Sequence, residues 1–159
     1  MIIISDTSAI TNLFQVGYLE ILRDLYGEIT VTPGVRRELY RIEEQQNILK
    51  DTDWIKTAYP KNDILINELL ESLDLGESES IALAIELDAD YLIVDEFEGR
   101  KIADKLGIKI IGLLGVLILA KKQGLIIQIK PVVDKLLKAG FRLNKKLVNK
   151  VLIALGEVK

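Results

Sequence analysis

The chain has neither cysteine nor histidine among its 159 residues. These absences exclude a disulfide scaffold, a zinc centre of Cys and His, a Ser-His-Asp triad and a thiol nucleophile. Aromatic residues make up 6%, so stacking platforms for single-stranded bases are thinly supplied. Long hydrophobic runs are missing too. The longest, IIGLLGVLILA at Ile110–Ala120, is bounded by Lys109 and Lys121, well short of the ~20 residues that span a bilayer. The opening apolar stretch lacks a preceding basic region and is too short for a signal peptide. A soluble, cytoplasmic protein with no membrane association is expected. Positive charge is not in excess: the net charge is −3. That argues against a domain basic throughout while allowing a local basic patch.

Hydrophobic residues at 49% and charged residues at 28% are near ordinary globular values. The length suits one domain, 1–159, with a core of its own. With thiol and imidazole gone, any hydrolytic chemistry falls to carboxylates and a hard cation such as Mg²⁺ or Mn²⁺. The 24 acids matter through their placement.

Apolar, β-branched runs mark buried strands at IIIS (Ile2–Ser5), EITV (Glu28–Val31), YLIVD (Tyr91–Asp95) and IKII. WIKTA reads as a short strand or an irregular edge. Helical periodicity fills the gaps: SAITNLFQV, YLEILRDLY, TPGVRRELYRIEEQQNILK, NDILINELLESL, LGESESIALAIELDAD and EGRKIADKLG. Pro33 suits the first turn of its helix. From Leu113 onward the pattern is helical, through LLGVLILAKKQ, PVVDKLLKAG and KKLVNKVLIALGE. Alternating strands and helices predict an α/β fold with a central, mostly parallel sheet flanked by helices. Its core covers about residues 1–126, with a helical C-terminal extension over about 127–159. Such open sheets bind ligands beyond the carboxyl ends of their strands, near a switch in strand order.

Four acids fall where that edge is expected. Asp6 and Asp95 end strands, Glu38 lies in the helix after the second strand, and Glu77 follows Gly76 at the mouth of a helix. Carboxylates gathered without neutralisation repel, so a cluster implies divalent cations or raised pKa values. Each acid has a bland alternative. Asp6 and Asp95 could cap helices, Glu77 could complement a macrodipole, and Glu38 could pair with Arg36 or Arg41. Taken together, the matched placement favours a site. Glu79, two residues from Glu77, points to a different helix face. Ser5, Thr7 and Ser8 are candidate supports by hydrogen bonding to Asp6 or to metal-bound water, with helix capping the alternative for Ser8. Glu96 and Glu98 could assist a metal through water or be solvated at the surface. Arg36, Arg37 and Arg41 share the helix of Glu38, and Arg100, Lys101 and Lys105 share the helix after Asp95. They offer a cationic rim for a polyanion such as RNA, or solvated helix faces with pairs such as Glu77–Arg100.

SDTSAITNLF, VTPGVRREL, LGESESIALA, YLIVDEFEGRKIA and GLLGVLILAKKQGLI, in this order, resemble the PIN-domain nucleases, especially the VapC-like branch of prokaryotic toxins. The resemblance runs from about Ile2 to Ile126 and continues more weakly beyond. It implies a PIN-like fold and hydrolysis of RNA phosphodiesters by an endoribonuclease that uses Mg²⁺ or Mn²⁺. The family's acidic quartet carries over onto Asp6, Glu38, Glu77 and Asp95 as catalytic residues and metal ligands, with Ser8 two residues after the first acid. Two departures stand out: Glu77 replaces the Asp of many members, and Ile93 occupies the place of a common Thr. The resemblance also implies a toxin-antitoxin pair, a small antitoxin partner and a homodimer, for which the all-round apolar GLLGVLILA helix is a candidate contact, or alternatively core. Two other classes compete. One is a catalytically silent PIN-like module that holds RNA or protein. The other is an aspartyl-phosphate phosphatase, disfavoured because Ser8 stands where those enzymes usually carry a second Asp.

Overall fold

A computed structural model describes residues 1–41 and 48–159. Five short strands form one sheet: β1 (Ile3–Ser5), β2 (Ile29–Val31), β3 (Ile55–Thr57), β4 (Tyr91–Ile93) and β5 (Ile110–Ile111). Their order is β3-β2-β1-β4-β5 and every pairing is parallel. The α/β expectation holds, and WIKTA resolves as an edge strand. From β1 the chain builds outward through β2 to β3, then returns to lay β4 on the other side of β1. The strand order therefore switches between β1 and β4, where Ser5 is in register with Ile93.

Helices cover both faces. The first set comprises α1 (Thr7–Gln15), α2 (Glu20–Tyr26), α3 (Pro33–Arg41), α4 (Ile48–Asp51), α5 (Asp63–Leu69), α6 (Leu75–Glu86) and α7 (Phe97–Lys105). The C-terminal set is α8 (Leu113–Lys122), α9 (Lys130–Lys138) and α10 (Lys145–Ala154). The expected continuation of α3 through residues 42–47 lies outside the described residues. Alternation along the strands divides the core in two. Ile3 and Ile93 face the larger cluster with α1, α2, α8, α9 and α10, while Ile4, Leu92 and Val94 face the smaller one with α5, α6 and α7. Apolar side chains on both faces are why these strands read as continuous hydrophobic runs.

The α8 helix resolves one open choice. Leu113, Leu114, Val116, Leu117 and Ala120 are all buried in the larger cluster against residues of α2, α9 and α10. Its all-round apolarity is that of a core helix rather than of an exposed dimer contact. Among the described residues no helix is long and apolar enough to cross a membrane.

The C-terminal helices are locked to this core by one acid. Glu157, its side chain 1% exposed, accepts from Lys121 Nζ at 2.8 Å and from the backbone N–H groups of Ile129 (3.0 Å) and Lys130 (2.8 Å). Burial alone would raise its pKa; the Lys121 hydrogen bond and the two N–H groups outweigh it and hold the carboxyl below its usual range. Glu157→Ala leaves the half-buried Lys121 ammonium without its counter-charge, with only Leu155 O at 3.2 Å still accepting from it, and two N–H donors without their acceptor. It is expected to cost about 3 kcal/mol in urea unfolding at neutral pH. A loss under about 0.5 kcal/mol would contradict the anchoring role.

Candidate active site

The site is built where β1 and β4 run out. Asp6 directly follows β1 and is 4% exposed. Its backbone is extended (φ −75°, ψ 178°), and its carboxylate caps α1 by accepting from Ala9 N at 3.1 Å. The same carboxyl accepts the backbone N–H of Asp95, while Asp6 N donates to Ile93 O at 3.0 Å. The capping alternative and the site reading are thus both true of Asp6: the cap fixes its side chain at the switch point.

Glu38 and Glu77 reach the same cleft from neighbouring helices. Thr32 and Pro33 open α3 as expected, with Thr32 Oγ1 accepting from Val35 N at 3.4 Å. One turn and a half later, Glu38 Oε2 accepts from Thr7 Oγ1 at 2.6 Å. Its other oxygen lies over Gly76, where a Cβ would stand 2.8 Å from it. Asp74 caps α6 by accepting from Glu77 N at 2.8 Å. Glu77 Oε2 is buried with no hydrogen-bond partner and packs against Gly99, where a Cβ would approach within 2.7 Å. Any side chain at Gly76 or Gly99 would displace one of these two acids.

Asp6, Glu38 and Glu77 line one cleft of about 460 Å³, together with Thr7, Ser8, Thr11, Asn12, Asp74 and Glu96. Asp95 stands at its edge and lines an adjoining cleft that shares Ser8, Asn12 and Glu96. Both Asp95 oxygens accept from Leu113 N at 3.2 Å, so this acid caps α8 and not the helix that follows it in sequence. Asp74 was missed by sequence reasoning. Its signal was present as Asp-x-x-Glu before an apolar helix, the capping-box spacing.

Several supports differ from expectation. Arg36 Nη1 donates to Thr57 Oγ1 at 2.8 Å, tying α3 to the edge strand instead of lining the cleft. Arg100 donates to Val94 O at 3.1 Å and its charge acts on Asp95, not Glu77. Arg37 and Lys101 are exposed and line neither cleft. Ser5 donates to the backbone oxygen of Asp6, and Ser8 accepts from Asn12 through both its backbone oxygen and its hydroxyl. Glu79 does diverge from Glu77, and it is buried: it accepts from Gly34 N at 2.6 Å and holds the start of α3 against α6.

The electrostatics are those of a crowded acidic site. Burial, then the charges of Asp95 and Glu77, push the Asp6 carboxyl from an ordinary 3.8 up to about 8, against the pull of the Ala9 and Asp95 N–H groups. Burial, then the charge and side-chain hydrogen bond of Asp74, push Glu77 from 4.5 to about 7. Asp95 is raised by burial and by Glu96, with the Leu113 N–H and Arg100 opposing. Among the described residues no group of three acids stands close enough to enclose a metal ion as placed. The donor chemistry nonetheless fits a hard divalent cation: carboxylate oxygens only, one of them buried and unpartnered, at a site where positive charge would relieve repulsion.

A family model described as PIN domain matches residues 2–157. The chain belongs to the PIN-domain family, a nuclease-type fold. A solved PilT N-terminus domain protein from the archaeon Sulfolobus solfataricus P2 is 22% identical with a TM-score of 0.49, covering 76% of this chain and 93% of the other. Comparison with curated proteins returns no match.

A carboxyl with a raised folded pKa contributes stability in full below its unfolded value, and that contribution is lost as pH rises through its folded value. For Asp6 and Glu77 the windows run from 3.8 to about 8 and from 4.5 to about 7. Cation-free protein is expected to melt several degrees lower at about pH 8.5 than at about pH 5.5. Asp6→Asn should remove most of that difference by raising the high-pH value. A wild-type melting temperature that is flat or rising across this range would contradict the assignment.

Proposed function

We propose that the protein is a divalent-metal-dependent endoribonuclease whose catalytic residues are Asp6, Glu38, Glu77 and Asp95. The observation that carries this reading is the meeting of Asp6, Glu38 and Glu77 in one cleft, with Asp95 at its edge donating its N–H to the Asp6 carboxyl. Asp6 and Asp95 would hold the cation directly, with Glu38 and Glu77 binding it directly or through water. When bound, Mg²⁺ or Mn²⁺ supplies charge stabilisation to the phosphate and lowers the pKa of a water nucleophile. The chain's own part is orientation. The α1 cap and the Asp95 N–H hold Asp6, Gly99 admits Glu77, Thr7 and Gly76 fix Glu38, and Leu113 N fixes Asp95. Ser8 and Glu96 border both clefts and complete the polar wall.

The absence of thiol and imidazole supports metal-assisted hydrolysis over nucleophilic alternatives. The silent binding module keeps one specific observation in its favour, the spread of the acids short of a closed metal cage. The family match over residues 2–157 supports a single domain. A VapC-like toxin role in the cytoplasm, with a small antitoxin covering the acidic cleft, follows from the same reading. So does a homodimer, supported by the exposed Ile127, Leu147 and Ile153 of the C-terminal region.

Asp6→Asn is expected to lower Mn²⁺-dependent RNA cleavage by at least about 100-fold at an unchanged folded fraction. Glu77→Gln should lose less, and Glu79→Gln should stay within about threefold because glutamine still accepts from Gly34 N. Wild-type rates in Asp6→Asn would overturn the assignment; an essential Glu79 beside a dispensable Glu77 would reassign the site acid. For assembly, light scattering at micromolar concentration should give twice the 17.9 kDa chain mass, and a monomer would refute the dimer alone.

A further inference from the structure

The second cleft, of about 470 Å³, begins at Asp95 and extends beyond what the chemistry of the four acids requires. It opens from the same Ser8–Asn12–Glu96 wall and continues over Phe97, Phe141 and Arg142. The chain has three phenylalanines, and two of them meet here from segments 44 positions apart in sequence. Phe97 opens α7 directly after the Asp95–Glu96 pair and is 74% exposed. A large apolar ring left in solvent beside an acidic cleft gains nothing for the monomer's core.

Phe141 and Arg142 are presented by a rigid turn. After α9, Gly140 adopts φ +93°, its N–H donates to Leu137 O, and Phe141 N donates to Leu136 O. That pair of bonds is the Schellman closure of a helix, which glycine permits at low cost. Two residues beyond Arg142, Asn144 caps α10 by accepting from Lys146 and Leu147 N–H groups at 3.0 and 3.2 Å. The segment between the helices is therefore pinned at both ends, and Glu157 fixes the start of α9 to the core. The cleft wall is preformed.

Charge completes the pattern. Residues 127–159 carry eight Lys and Arg against two Asp and Glu, whereas the whole chain is net negative. Lys138, Arg142, Lys145 and Lys146 are exposed around the turn. An acidic centre is flanked by a basic helical pair, and the cleft between them is lined by the exposed ring of Phe97 and the half-buried ring of Phe141, which packs against the core. That pattern matches single-stranded nucleic acid: a ring face for a base, cations for the backbone.

We infer that the Phe97–Phe141–Arg142 cleft is a nucleotide subsite for single-stranded RNA, holding a base and phosphate next to the one at the acids. The α9–α10 turn is then a substrate-binding element and not merely an extension of the fold. The inference rests on the ribonuclease reading for the adjacent site, and its test separates the two.

Binding of a fluorescent single-stranded oligoribonucleotide to the full-length protein, measured by anisotropy in EDTA, reads the subsite without cleavage. Phe97→Ala and Arg142→Ala are each expected to weaken binding about tenfold, and Arg142→Ala should also flatten the salt dependence by about 0.7 in the log–log slope. Phe97→Trp should restore affinity, because it keeps a stacking face, and Phe97→Leu should not. An abasic oligomer of equal length should lose affinity with Arg142→Ala only. No measurable wild-type affinity, or affinities within twofold of wild type in both alanine variants, overturns the subsite. Hydrolysis of bis(p-nitrophenyl) phosphate with Mn²⁺, a base-free diester, reads the acids independently. RNA held through Phe97 and Arg142 with neither RNA nor diester cleaved would leave the subsite standing and overturn the ribonuclease; diester cleavage with unaffected RNA binding would do the reverse.

Discussion

The carboxyl of Asp6 is the constraint on which the arrangement depends. It caps α1 through Ala9 N, accepts the N–H of Asp95, and lies buried where the strand order reverses. One short side chain thereby joins the end of β1, the start of α1 and the chain leaving β4. The position is costly for an anion, because burial and the nearby Asp95 and Glu77 all favour the protonated form. Two hydrogen-bonding neighbours that would be ordinary around a structural cap become, with two further acids, a site that gains from positive charge.

The surrounding acids are held by the same economy of means. Glu38 and Glu77 come from packed helices, α3 and α6, that cross-brace one another. Glu79 of α6 holds Gly34 of α3, while Glu38 of α3 lies on Gly76 of α6. Two acids, two positions apart in sequence, therefore serve different ends. Glu77 points to the cleft with an unpartnered oxygen, and Glu79 is consumed in fixing the helix that carries Glu38. Helical geometry separates their directions, and burial of Glu79 against a backbone N–H decides its role.

Much of this was legible in the sequence because it depends on local signals. Apolar β-branched runs ending in Asp gave away β1 and β4, and Thr32–Pro33 marked the start of α3. The alternation of elements implied the parallel sheet and hence the edge where Asp6 and Asp95 fall. What was not legible depends on distant pairing. Arg36 reads as a free cation until β3 brings Thr57 beside it. Asp95 reads as a cap for its own following helix until Leu113, 18 residues on, donates the first N–H of α8 to it. The apolarity of α8 was plain, but whether core or partner covered it depended on α2, α9 and α10 closing over it. Phe97 and Phe141 carry no mutual signal at all, since their meeting is a product of the C-terminal turn.

The central claim, that the acids at the switch point form a cation site, is tested most directly by calorimetric titration with Mn²⁺ near neutral pH in buffers of different ionisation enthalpy. Asp6, titrating at about 8, and Glu77, at about 7, are largely or partly protonated under those conditions. A cation held by them must displace protons, so binding should release between about one and two per ion. Asp6→Asn should abolish the release along with the affinity. Mn²⁺ binding with no proton release, or no binding to the wild-type protein, would contradict the account.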